Sequence, residues 1–229
     1  MEMKTSVFSA GLVALMSLSA TASFSAPSSD GPTGILNVPT ADTVERGSFE
    51  MMLAYDRPKV AGMGIGVFPV VTLGYGLQNA EIGLDYFNIE GYTAVESANA
   101  KYVFVHETKE MPAIAAGAMY LRGNVAETDV YLVASDSLGL GHEFRATGGL
   151  LYQKPNNSSS NNFTEMMGIE LGAPGASTTG GLDFVVKDIA AGDMIGATLR
   201  QRVTRNLACQ VGYGNHDRYF VGIIVKFGK

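Results

Sequence analysis

The chain has one cysteine, no tryptophan and three histidines in 229 residues. Cys209 has no partner for an intramolecular disulfide, so stability must come from elsewhere. Sixteen basic residues against 22 acidic ones give a formal charge of −6, and the lysines and arginines are scattered rather than clustered. That balance excludes a nucleic-acid partner of the usual basic-patch kind. After the N-terminal region no apolar run is long enough for a membrane-spanning helix, so any residence in a membrane must use strands.

Scarcity also limits the chemistry. His106, His142 and His216 are the possible imidazole bases, and none is followed two residues later by a serine, as a barrel phospholipase requires. Carboxylates occur singly on separate runs, without metal-ligand spacing. GLG before His142 is a glycine-rich turn with no helix after it, so it does not cradle phosphate. No catalytic residue, metal site or cofactor is assigned.

The N-terminus is informative. Lys4 precedes the mostly apolar run VFSAGLVALMSLSATASF, and Ala20 and Ala22 put small residues at the −3 and −1 positions of a signal-peptidase cut. Residues 1–22 are therefore expected to be a signal peptide, residues 23–46 a periplasmic N-terminal segment and residues 47–229 a barrel. Beyond the leader the chain alternates with period two. Ile82, Leu84 and Tyr86 share one face while Glu81, Gly83 and Asp85 share the other. Leu182, Phe184 and Val186 likewise oppose Asp183 and Lys187, and Ile195, Ala197 and Leu199 oppose Gly196, Arg200 and Arg202. One face is oily, and the other repeatedly carries glycine or charge.

About twelve such runs follow one another, from Ser48 to Arg57 through Arg218 to Gly228, with about ten residues in most of them. This length and an even count predict an all-β fold: a closed antiparallel transmembrane β-barrel of about 12 strands. Closure removes the edges that hydrocarbon would not tolerate. Connections after odd-numbered runs include the longest, Pro58 to Pro69 and Lys154 to Asn162, whereas Gln78-Asn79 and Arg205-Asn206 are tight. With the N-terminus periplasmic, the longer connections face outward. Tyr55, Tyr86, Tyr152 and Tyr219 fall near run ends on the oily face, as interfacial girdles do. A soluble β-fold alternates too, but it places its oil inside.

By this parity Glu81, Asp85, Lys101, Asp183, Lys187, Arg200 and Arg202 line the lumen. Acid and base across a narrow barrel either pair and close it or line a small polar channel. Phe227 lies two residues before the end of the chain, where it reads either as a displaced assembly signal or as an ordinary lipid-facing residue.

The segment GPTGILNVPTADTVERGSFEM resembles the opening of the YjbH-type outer-membrane β-barrel proteins, whose genes accompany exopolysaccharide production. SANAKYVFVHE followed by MPAIAAGAMYLRG, and GGLDFVVKDIAAGDMIGATLRQRVTRNLACQVGY, are similar to later strands of that family. The resemblance runs from about Gly31 to Phe227. This chain is much shorter than the large members of the family. The resemblance implies a non-enzymatic bacterial outer-membrane component with a polysaccharide role, whose partners are outer-membrane lipid, the barrel-assembly machinery and polysaccharide. Two alternatives stay open: a narrow passive channel for small polar solutes, and a secreted soluble β-barrel that binds a ligand.

Overall fold

Strands of 8–12 residues form wherever the two-residue alternation runs unbroken. The computed structural model describes residues 26–29, 31–57, 59–60, 63–64, 67–89, 94–123, 126–138, 144–156, 161–172, 176–186, 194–215 and 218–228. Among these the strands are β1 (Phe49–Arg57), β2 (Lys59–Val60), β3 (Met63–Gly64), β4 (Val67–Gly76), β5 (Ala80–Ile89), β6 (Val95–Val105) and β7 (Ala113–Arg122). They continue as β8 (Glu127–Leu138), β9 (Phe144–Pro155), β10 (Asn162–Leu171), β11 (Thr178–Val186), β12 (Met194–Arg202), β13 (Leu207–Gly214) and β14 (Arg218–Phe227). The proposed signal peptide falls outside the described residues.

β2 and β3 are a minor hairpin, and the other twelve strands close into one antiparallel barrel. Each is hydrogen-bonded to its sequence neighbours, and β1 pairs with β14 to shut the seam, from Phe49 opposite Phe227 to Arg57 opposite Tyr219. The expected strand count and closure are thus the observed ones. Most strand boundaries shift by one to three residues from the alternation; β4, for example, begins at Val67, where the sequence suggests Val70. Pro69 cannot donate to a ladder, and the barrel accommodates it in an irregularity between Val67 and Val70.

Alternation places oil outside. Leu53, Leu84, Phe104, Leu132, Leu150, Ile169, Leu182, Ile195, Val221 and Ile223 are exposed along the outer wall, with Tyr55, Tyr86, Tyr102, Tyr120, Tyr213 and Tyr219. In water such a belt would be a severe liability, and in a bilayer it is the solvated surface. Near the seam Phe49 lies against Tyr75 with ring centroids 4.4 Å apart, and Phe227 continues this aromatic cluster on β14.

The interior is filled by the chain itself. Of residues 23–46, which the sequence suggests form a periplasmic segment ahead of the barrel, the described residues from Ala26 to Val44 lie inside it. Every described residue from Ala26 to Ala41 is buried. This plug folds on itself: Ser28 N–H donates to the Pro32 carbonyl, Gly34 N–H to Ala26, and Ile35 N–H to Val38. Its physical reason is pairing, because a segment with few regular backbone partners of its own satisfies them on the polar wall.

Candidate functional site

The polar face of the wall and the plug form one hydrogen-bonded interior. Glu81 on β5 accepts from Thr33 N–H at 2.8 Å, from the Thr33 hydroxyl, and from Val44 N–H at 2.9 Å. Lys101 stands opposite it in the ladder, pairs with it at 3.0 Å and donates to the Thr33 carbonyl at 3.0 Å. Across the barrel, Asp183 on β11 accepts from Leu36 N–H at 2.9 Å, from Asn37 N–H, and from Asn37 Nδ2 at 3.0 Å. Arg200 on β12 donates to the Gly34 carbonyl at 3.2 Å and to Gln210 Oε1 at 3.2 Å. These carboxylates and cations are the plug's backbone partners, which explains why a buried face tolerates them.

Three further clamps hold the ends. Arg218, on β14 at the end of the barrel away from Gly47, makes a fork to Asp56 and also donates to Asn37 Oδ1. At the opposite end Arg145 reaches Asp42 of the plug at 3.1 Å and Glu107 in the β6–β7 connection. Lys226 pairs there with Glu45. Glu107 lies outside the strands. Its partial burial pushes its pKa up, but hydrogen bonds from Ser137 and Arg145 outweigh this and hold it below the ordinary glutamate range.

The glycines on this face are sockets. A Cβ on Gly168 or Gly181 would collide with the side chain of Ile35, and one on Gly196 would meet Asp183, Asn37 and Leu36. A Cβ on Gly76 would strike the backbone carbonyls of Val44 and Glu45. Within the wall, Tyr131 lies over Gly117 and Asn99 over Gly83. Glycine recurs on the inner face because plug atoms and large inward side chains take the space a Cβ would need.

Of the residues assigned to the lumen from sequence, Glu81, Asp85, Lys101, Asp183, Arg200 and Arg202 are all buried on the inner wall. Glu81, Lys101, Asp183 and Arg200 converge on the plug. Asp85 is held by Ser97 Oγ at 3.1 Å and Asn99 Nδ2 at 2.9 Å, close to Gly31. Lys187 falls outside the described residues. Phe227 is half exposed on the outer wall. The sequence reading left out Glu50, Asp56, Arg145, Gln210 and Arg218, although strand parity puts each of them inward. It also left out Ser135, whose hydroxyl accepts from Ala41 N–H at 2.9 Å. The plug itself carries no alternation, so parity could not find it.

A closed twelve-strand antiparallel barrel with an apolar belt and a charged interior is an outer-membrane β-barrel, and the protein resides in the bacterial outer membrane. Residues 27–187 match the YjbH family model, that of the exopolysaccharide biosynthesis protein YbjH, and the chain belongs to this family. No curated protein matches it. Among solved structures it is similar to the KdgM porin, at 13% identity and a TM-score of 0.62, over 78% of this chain and 99% of that one. It is also similar to an outer-membrane channel from Pseudomonas putida F1, at 11% identity and a TM-score of 0.59, over 84% and 100%. KdgM has also been solved in complex with disordered oligogalacturonate, and that structure matches with a TM-score of 0.61 at 13% identity, over 79% and 99%. At these identities the likeness is one of fold. Outer-membrane residence sets aside the secreted soluble alternative.

Proposed function

We propose that this protein is a non-enzymatic component of the cell envelope, a barrel held closed by its own N-terminal segment and acting with surface polysaccharide. The observation that carries the closed state is the set of bonds from Glu81, Asp183, Lys101 and Arg200 to the plug backbone between Thr33 and Val44. Lumen groups that a channel would present to solutes are here engaged in holding the chain. The family's description supports the link to polysaccharide. The periplasmic side of the plug's attachment at Gly47 and a role for Phe227 in recognition by the barrel-assembly machinery belong to the same proposal.

A channel is the second reading, favoured by the fold shared with the KdgM porin and the Pseudomonas putida channel. Under that reading solutes pass once the plug is displaced. Conductance in planar bilayers separates the two. The full mature chain is expected to be silent, and a variant lacking residues 26–44 to conduct through a lumen bare of its plug. Steady conductance by the full chain would overturn the closed state.

A further inference from the structure

Charge on the inner wall is unevenly distributed along the barrel. Toward the end away from Gly47, Asp56, Asp85, Glu127, Asp129 and Asp183 face inward, and among the described residues Arg218 is the one wall cation with them. Toward Gly47 the balance reverses, with Lys101, Arg145, Arg200, Arg202 and Lys226 facing inward against Glu50, Glu81 and Glu170.

Pairing within the wall sharpens the contrast. Arg218 neutralises Asp56, and Lys101 neutralises Glu81. Lys226 and Arg145 stand opposite Glu50 and Glu170 in the ladder. The net charge of the far half then comes from Asp85, Glu127, Asp129 and Asp183, and that of the Gly47 half from Arg200 and Arg202. Neither sign changes when Glu107 of the β6–β7 connection is added to the Gly47 half, or Lys187, which sequence parity assigns inward, to the far half. The plug has the matching polarity. It turns the N–H groups of Leu36 and Asn37 to Asp183, and the carboxylates of Asp42 and Glu45 to Arg145 and Lys226.

We infer that the lumen, once the plug is unseated, is a rectifying pore for small ions, selective for cations in the half away from Gly47 and for anions in the Gly47 half. Water readmitted to the lumen restores the ordinary ionisation of these groups, and a narrow passage lined by one sign concentrates the opposite ion. A voltage that makes the far end positive drives cations in through the acidic half and anions in through the basic half. Both accumulate where the halves meet, and the current is large. The opposite voltage draws both away from that junction, and the current falls. Acidic groups outnumber basic ones in the sum, which leaves a net preference for cations. The inference rests on the channel reading above and names what such a channel passes and in which direction.

The test records single barrels in planar bilayers from two proteins. In the full mature chain, Leu36→Asp puts a carboxylate at a fully buried plug position held by Asp183, and so unseats the plug without altering the wall. The variant lacking residues 26–44 is the second. A Glu110→Cys, Cys209→Ser version of each, biotinylated and met by streptavidin from one chamber only, reports which end faces that chamber. In 0.1 M KCl, where the screening length is about 10 Å, current should be about twofold larger with the far end positive, and a salt gradient should give a reversal potential of cation sign. At 1 M KCl, where that length is about 3 Å, the asymmetry should vanish. Asp129→Asn with Asp183→Asn should move selectivity toward anions, and Arg200→Gln with Arg202→Gln toward cations. Each pair should lessen rectification while keeping the heat-modifiable gel mobility of a folded barrel. Opposite movements of the reversal potential mark a charge effect, since loss of structure would move both pairs alike. Equal currents at both polarities, a larger current with the Gly47 end positive, or selectivity that neither pair moves overturns the inference and leaves the channel reading standing. Rectification that persists at 1 M KCl assigns it to lumen shape and likewise overturns the inference. Silence from both proteins, with gel mobility showing folded barrels, overturns the inference and the channel reading together.

Discussion

Asp183 shows how much rests on one carboxylate. It receives two adjacent backbone N–H groups and an amide from the plug, so Asp183→Ala leaves Leu36 and Asn37 with buried, unsatisfied donors. Each such orphan costs about 1–3 kcal/mol. A lowered denaturant midpoint in detergent, together with intermittent conductance as the plug loosens, is the expected result. The inner glycines act at the same scale through volume. Gly181→Val drives a side chain into Ile35 and should cost about 1–3 kcal/mol by overpacking. Gly148 offers the control: it lies exposed on the outer wall, with nothing within 4 Å of a Cβ, so Gly148→Val should leave the midpoint unchanged.

At the scale of elements, the β6–β7 connection is tied to β8 through Ser137, to β9 through Arg145, and by Arg145 to Asp42 of the plug. Because the pKa of Glu107 is lower in the folded state than in the unfolded chain, it contributes stability that is fully present above the unfolded value near 4.5. That contribution is lost as pH falls through the folded value. Acid titration followed by heat-modifiable mobility should show a decline below about pH 4.5 that Glu107→Gln makes shallower. Elements were also what the sequence disclosed best. β5 runs from Ala80 to Ile89 as the alternation indicates, and the starts of β13 and β14 agree at Leu207 and Arg218. Period two is a direct imprint of a wall with oil on one side, so Glu81, Asp183 and Arg200 could be assigned to the lumen without coordinates. What they hold could not. The plug, from Ala26 to Val44, is irregular backbone whose partners lie up to 166 residues away in the case of Gly34 and Arg200, and local pattern carries no trace of such pairing.

For the whole molecule, the plug changes what the barrel is. A twelve-strand wall alone has the fold of the KdgM porin, yet here the lumen is occupied by the chain from Ala26 to Val44. Deletion of residues 26–44 therefore tests the molecule as a unit. Conductance should appear while the outer belt and the β1–β14 seam keep the barrel in the membrane, as gel mobility would report. The seam also orders events in time. Asn37 is clamped by Arg218, and Glu45 by Lys226, so residues of the N-terminal plug depend on the last strand to be made. Contacts so distant in sequence are slow to form. A segment already enclosed cannot be threaded in afterwards through a closed wall, so the plug must be gathered inside while β1 and β14 are still apart, and the final pairing seals the segment in as it completes the sheet.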